Sequence, residues 1–285
     1  MIVWRNDAFL ESANALDARD RGLTLGDGLF ETIYCRRGIP AFLDRHLDRL
    51  RASADVLKIP FDPPADIRPI IKGLAARNDV THAPCALRLT LTRGPGGRGL
   101  VLPGASQTRP TLLMTMIPFR ASEGTTSLAI SEYRRSECSV SAHHKTLSYL
   151  DQILARDDAI ARGASDAVLR NSVGNIACAS AANLFLISAE GEIVTPQLSD
   201  GALPGIVRAL LFEHAPTIGV SIVERQISPG MLRDAPIFLA NSLTGPVPAL
   251  LMGERDRVSD NSLFKVVQSW YARALDDELE KYDSP

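Results

Sequence analysis

"SAHHKTLSYLDQILARDDAIARG", residues 141–163, sets a lysine directly after two histidines and just ahead of a helical pattern. Lysine is scarce in this chain: Lys58, Lys72, Lys145, Lys265 and Lys281 are the only ones among 31 basic residues. The spacing of apolar residues predicts a helix over 147–162, so Lys145 stands at its mouth among residues of half-buried character. An amine held partly away from water beside histidines is a nucleophile toward aldehydes, the chemistry of a Schiff-base lysine. Taken alone, the same residue also fits a solvated lysine at a helix start, and His143 and His144 fit loop positions.

The rest of the chain narrows the setting. At 285 residues it has enough interior for one large domain or two ordinary ones. A hydrophobic fraction of 45%, a charged fraction of 22% and a formal net charge of −2 describe a soluble globular protein with no electrostatic pull toward nucleic acid or an anionic membrane. No apolar run approaches the roughly 20 residues that span a bilayer, and the start "MIVWRNDAFLESANALD" has no signal-peptide pattern. Cys35, Cys85, Cys138 and Cys178 form no C-x-x-C pair, which argues against zinc and a disulfide framework and points to a reducing cytoplasm.

Strands are expected at "GLFETIYC" after the turn signal "GDG", at "CALRLTLTR" and at "TLLMTMIPF", with "GPGGRG" as a loop between the last two. Leu43, Leu47, Leu50, Ala54 and Leu57 recur at spacings of four and three, one face of an amphipathic helix. After the polar stretch "PFRASEGTTS" come strand patterns at "SLAISEY", "DAVLRN", "NLFLIS", "EIVT", "SIVERQI" and "PIFLA". A helix from about 205 to 214 and a C-terminal helix capped by Asp260, Asn261 or Ser262 complete an α+β chain in two parts.

Two further features carry chemistry. "LSDGALPGIVRALLFEHA" opens a helix with Pro204 and Gly205, and a helix N-terminus with free N–H groups suits a phosphate. Arg49 interrupts the helix at 43–57; singly it reads as a solvated arginine.

Read in order, "DRGLTLGDGLFETI", "HLDRLRASAD", "LTRGPGGRGL", "HHKTLSYLDQILARDDAIARG", "SAANLFLI", "TPQLSDGALPGIVR" and "NSLTGPVPAL" resemble the class IV aminotransferases, over residues 3 to 252 or so. These are pyridoxal-phosphate enzymes of fold type IV: branched-chain and D-amino-acid aminotransferases and aminodeoxychorismate lyases. The resemblance implies a small N-terminal domain, residues 1–118, and a larger mixed, barrel-like C-terminal domain, residues 123–285, with the pyridoxal 5′-phosphate site between them. It implies that Lys145 bonds the cofactor and shuttles the substrate α-proton, that Arg49 binds the phosphate, and that Gly205, Ile206 and Val207 form the phosphate cup. Val207 stands where the family often has threonine, so one hydroxyl contact is lost while the amides remain. Tyr149 matches a tyrosine that faces the pyridine hydroxyl. Ser242 and Thr244 lie in the last cofactor-facing loop, and Phe30 and Arg98 are candidates for the substrate side. Homodimers that share residues across the site are also implied.

One position departs from the pattern. The family usually carries a glutamate five residues before the Asn of "NLF"; here that position is Cys178. The glutamate keeps the pyridine nitrogen protonated, and the protonated ring is the electron sink. A thiol with an ordinary pKa of about 8.5 is mostly neutral at pH 7. Each pKa unit lost by the ring nitrogen removes ~1.4 kcal/mol of preference for its protonated form. Slower catalysis, a mechanism less dependent on a protonated ring, or a non-catalytic binding role would each answer this; another acid would too, but Glu31, the charged residue of "LFETI", lies in a block that lines the substrate side in the family. The substrate side is equally open. "TRGPGGRGL" keeps Arg98 but has Leu100 where D-amino-acid enzymes carry a histidine, and the same loop is similar to that of the lyases, which make 4-aminobenzoate and pyruvate. Arg93 and Arg98 alternatively read as solvent-facing loop charges. The expected activity is amino transfer between a small amino acid and a 2-oxo acid, with the lyase as the alternative.

Overall fold

The computed structural model describes residues 1–97, 99–104, 107–121 and 124–283. Contacts divide the chain into two compact units: Met1–Ala121 with Lys145–Ser148 and Leu275–Pro285, and Ser122–His144 with Tyr149–Ala274. Residues 145–148 and the end of the last helix thus pack with the N-terminal unit, a grouping that a single cut along the sequence does not express.

The first unit is built on one antiparallel sheet. Its strands β1 (Ile2–Arg5), β2 (Ala8–Glu11), β3 (Gly28–Arg36), β4 (Ile39–Pro40), β5 (Cys85–Thr92) and β6 (Thr111–Pro118) lie in the order β2-β1-β6-β5-β3-β4. Side chains alternate between faces along each strand. Leu29, Ile33 and Cys35 therefore share a face with Leu87, Leu89, Leu91, Met114 and Met116. Helices α2 (Leu43–Leu57) and α3 (Ile67–Arg77) cover that face with Leu43, Leu47, Leu50 and Ala54 and with Ile67, Ile71 and Leu74, all in one core. Burying each such leucine is worth about 1.5–3 kcal/mol, so this stripe holds α2 on the sheet. A short helix, α1 (Arg21–Leu25), ends on Gly26 at φ +67°, a left-handed cap that glycine adopts without strain.

The second unit holds a mixed eight-stranded sheet. Its strands are β7 (Thr126–Arg134), β8 (Asp166–Arg170), β9 (Ile176–Ala179), β10 (Asn183–Ile187), β11 (Glu192–Thr195), β12 (Ser221–Glu224), β13 (Ile237–Asn241) and β14 (Gly245–Leu251). Their order is β12-β11-β10-β13-β14-β7-β8-β9. The edge strand β9 is followed after three residues by β10, deep in that order, so the sheet curls back on itself like part of a barrel. Helices α4 (Val140–His143), α5 (Leu150–Ala161), α6 (Ile206–His214), α7 (Met231–Asp234) and the start of α8 (Ser262–Glu280) accompany it. Asn261 Oδ1 accepts from Leu263 N (3.0 Å) and Phe264 N (3.2 Å), which identifies it as the cap of α8.

Three expectations are corrected. The helix expected over 147–162 begins only at Leu150, because Leu147 N donates to Gly28 O (3.0 Å) and Thr146 bridges Leu29 of the first sheet. Arg93 is no solvent-facing loop charge: it is 4% exposed, donates to both oxygens of Asp27 (2.8 and 3.0 Å), and caps the end of α2 at Leu57 O and Lys58 O (2.8 Å each). Arg49 is not solvated either, as described below. Arg98 lies outside the described residues. No helix among the described residues is long and apolar enough to cross a membrane.

Candidate active site

In the first unit, the segment carrying Lys145 adds onto the start of β3. Phe30 N donates to Lys145 O (2.9 Å), and Leu29 bridges Thr146. Close approach requires a glycine: a Cβ on Gly28 would come within 2.5 Å of Leu91 O and 2.9 Å of Leu147 Cδ1. The "GDG" signal thus does two jobs, since Gly26 caps α1 and Gly28 admits the lysine segment. Lys145 is half-buried, and its Nζ lies 4.2 Å from the centre of the Phe30 ring. Arg88 places its guanidinium 3.8 Å from the centre of the same ring. Arg88 pairs with Thr32 across the sheet, so it shares the face of Phe30 and lies opposite the leucine core.

Glu31 points to the other face, toward α2. Arg49 donates from Nε to Glu31 Oε1 (2.8 Å) and from Nη2 to Oε2 (2.5 Å), a two-pronged pair. His46, one turn earlier on α2, places Nδ1 2.6 Å from Oε2. The side chains of Glu31 and His46 are each 1% exposed and that of Arg49 is 13% exposed. Burial alone would raise the Glu31 carboxyl; Arg49 and then His46 override it and hold the group at about 2. Burial pushes His46 below its ordinary value. A neutral imidazole donating through Nδ1 is the state consistent with both.

In the second unit, α6 opens on Gly205, which has no side chain to cap the helix. The first bond inside the helix is Ala209 N to Gly205 O (2.9 Å), so the amides of Ile206, Val207 and Arg208 have no acceptor within it. A Cβ on Gly205 would overlap Asn183 Oδ1. Asn183, of the "AANLF" block, donates to Leu203 O (2.9 Å) and so pins the loop entering the helix. Ile206, Val207, Leu210 and Leu211 are all buried, as their spacing predicts. Arg135 ties the neighbouring loops together, donating to Gly201 O (2.8 Å), Ser141 O (2.6 Å) and Ala142 O (2.9 Å).

Cys178 lies on β9 opposite Leu169, in a cluster of Ala129, Ala155, Ala159, Ala167 and Ala177. Burial pushes its thiol up; Arg135 pulls the other way and Asp166 adds to the rise. The group is a neutral thiol at pH 7. Tyr149 is half-buried at the start of α5. Ser242 and Thr244 lie in the turn between β13 and β14, where Thr244 Oγ1 is 3.1 Å from Asn241 Oδ1 and 3.2 Å from Gly245 O, so its proton serves the turn. Sequence reasoning missed Arg88, His46 and Asn183 as members of these clusters. Arg88 and Glu31 each had a signal: a charge at a fixed parity within an alternating strand.

Comparison with known proteins follows the same lines. Residues 28–251 match the family described as amino-transferase class IV, and the chain belongs to that family. A D-alanine aminotransferase of Listeria monocytogenes is 28% identical over 253 residues, 86% of this chain and 84% of that one. The crystal structure of 4-amino-4-deoxychorismate lyase from Pseudomonas aeruginosa superposes with a TM-score of 0.83 at 30% identity, covering 96% of this chain and 99% of that one. The branched-chain amino acid aminotransferase of Escherichia coli shares the fold, with a TM-score of 0.85 at 19% identity over 99% of this chain and 97% of that one. The fold is the two-part fold type IV, and the family's cofactor is pyridoxal 5′-phosphate.

Within each unit, the residues present suit one part of that cofactor. A half-buried amine can take the aldehyde, and an uncapped helix mouth entered through a glycine can take a phosphate. Cys178, also in the second unit, is a buried neutral thiol where the family resemblance implies a carboxylate.

Proposed function

We propose that the chain is an aminotransferase moving an amino group between a small amino acid, branched-chain or of D configuration, and a 2-oxo acid. In this reading Lys145 bonds the cofactor and carries the proton to and from the substrate α-carbon. Arg49 and the amides of Gly205, Ile206 and Val207 hold the phosphate. Tyr149, Ser242 and Thr244 line the cofactor, Phe30 lines the substrate, and Arg98 belongs to the loop on the substrate side. The bound cofactor supplies an electron-withdrawing ring that makes the α-proton labile. The neutral Cys178 thiol leaves the nitrogen of that ring less protonated than a carboxylate would. The working unit is proposed to be a homodimer.

The observation that carries this reading is the shared ring of Phe30. It has the Lys145 amine and the Arg88 guanidinium on it, at 4.2 and 3.8 Å. Both cations address one aromatic ring, and an arginine suits the carboxylate of an amino or 2-oxo acid.

A second reading, the lyase that forms 4-aminobenzoate and pyruvate, is favoured by the 30% identity to the Pseudomonas aeruginosa lyase and by the "RGPGGRG" loop. A third, cofactor binding with little catalysis, is favoured by Cys178. One screen separates them. With an L- or D-amino acid alone, an aminotransferase releases one equivalent of 2-oxo acid per site and stops until an acceptor is added. A lyase given 4-amino-4-deoxychorismate turns over to 4-aminobenzoate and pyruvate. A chain yielding no product from either panel is left with the third reading.

A further inference from the structure

Helix α5 inverts the usual arrangement of a helix on a sheet. An amphipathic helix buries its large apolar side chains and shows its polar ones. The buried residues of α5 are Gln152, Ala155 and Ala159, the two alanines packing with Ala129, Ala167, Leu169 and Ala177 of the second unit. Its large apolar side chains point outward: Leu150 is 65% exposed, Ile153 61%, Ile160 55% and Leu154 37%. At 3.6 residues per turn these four fall in one stripe about 120° wide, with Asp157 and Ala161 inside it. Single exposed apolar residues are ordinary, whereas a contiguous stripe marks a surface that a partner covers.

The charges on and beside the stripe indicate which partner. Among the described residues, Asp151, Arg156 and Asp157 have no ion pair within the chain, while Asp158 and Arg162 pair with each other (2.7 Å). Arg156 and Asp157 are adjacent in sequence and so do not face each other on the helix. A second α5 laid antiparallel, with a two-fold axis between Arg156 and Asp157, sets Arg156 opposite the partner's Asp157 and Asp157 opposite the partner's Arg156. The same register sets Ile153 opposite the partner's Ile160, and Asp151 opposite the partner's Arg162. Ile153 and Ile160 share one flank of the stripe and Asp151 and Arg162 the other, as an antiparallel pair requires. Apolar residues meet apolar ones and each charge meets its opposite.

We propose that the outer face of α5 is the surface on which two copies of this chain join, each helix packed antiparallel on the other in a self-complementary contact. The proposal rests on the homodimer reading given above and assigns its surface.

Sedimentation velocity of the cofactor-loaded full chain, over a range of concentrations, measures the mass and the dimer dissociation constant. The parent is expected at the mass of two chains. Arg156→Glu sets a carboxylate against the partner's Asp157, and Asp157→Arg sets a guanidinium against the partner's Arg156. Each variant alone should therefore dimerise about tenfold more weakly or worse. Mixed in equal amounts, the two variants form only attractive pairs with each other, and association should return to within about threefold of the parent. Ile153→Glu should weaken the dimer about tenfold or more, and neither charge variant should restore it on mixing. All three side chains are exposed in the chain, so each variant is expected to keep the parent's circular-dichroism spectrum. If Ile153→Glu loses that spectrum, Leu150→Ser is measured in its place, with the same weakening expected. A dimer that none of these changes weakens overturns the proposal and leaves a homodimer joined on another surface. Weakening by both charge variants without recovery on mixing also overturns it. A parent that sediments as one chain at every concentration overturns the proposal and the homodimer reading together.

Discussion

Phe30 and Lys145 are joined twice: the Phe30 amide donates to the Lys145 carbonyl at 2.9 Å, and the Lys145 amine lies 4.2 Å from the centre of the Phe30 ring. Strand β3 is thus a template for the lysine, fixing its backbone by pairing and its amine by an aromatic face. Consecutive residues of that strand serve opposite faces, Phe30 toward Lys145 and Glu31 toward Arg49. A shift of one residue in register would exchange them.

Arg88 should decide how well carboxylate substrates bind. Arg88→Ala is expected to raise KM for the best amino acid about tenfold or more, and to leave the reaction of the corresponding decarboxylated amine within about threefold. Steady-state kinetics with the matched pair of substrates measures this. A loss shared equally by both would assign Arg88 a structural part.

Gly205 should be intolerant of even a methyl group. In Gly205→Ala the new Cβ displaces the Asn183 side chain and with it the bond to Leu203 O, now 2.9 Å long. Losing one such bond costs about 1 kcal/mol before any shift of the helix mouth, so affinity for pyridoxal 5′-phosphate is expected to fall about fivefold or more. Adding Asn183→Ala removes the clash and should not restore the pinned loop; full recovery of affinity in the double variant would contradict this account.

Cys178→Glu should hold the ring nitrogen protonated. If the variant folds and keeps its cofactor, the single-turnover rate with an amino acid is expected to rise about tenfold, the value of one pKa unit at that nitrogen. An unchanged or lower rate at full occupancy would mean that the thiol is matched to the chemistry of this chain.

Acid should weaken the first unit through the Glu31 cluster. The Glu31 carboxyl is depressed in the folded chain, so its contribution is complete above the unfolded value near 4.5 and is lost as pH falls toward about 2. A shift of that size is worth on the order of 3 kcal/mol. His46, pushed below its ordinary value of 6.5 by burial, acts in the same direction, since the unfolded chain takes up its proton first. Urea midpoints should fall from pH 7 to about pH 3, and less steeply for Glu31→Gln below pH 4.5 than for the parent. Equal slopes would exclude the cluster as the cause.

Much of this was legible in the chain itself. Helix α2 runs over the residues that its apolar spacing predicts, 43–57, and β3, β5 and β6 follow their alternation. Strand β14 was hidden by Pro246 and Pro248, which lack the N–H of a strand; both fall where β14 pairs with β13 alone, β7 joining only at Ala249. Helix α3 went unread because it begins within the proline-rich "IPFDPPADIRP", which masks its periodicity. At the site, blocks distant in sequence could be ordered but not joined. That Glu31 would grip Arg49, and Arg88 would share a ring with Lys145, depends on register and on which helix covers which face. Neither is written in any one segment.

The central claim is a covalent bond at position 145. Borohydride reduction of the cofactor-loaded protein, followed by proteolysis and mass spectrometry, should place a pyridoxyl group on the peptide containing Lys145 and leave Lys58, Lys72, Lys265 and Lys281 unmodified. A pyridoxyl group on one of those four instead, or on no lysine at all, would contradict it.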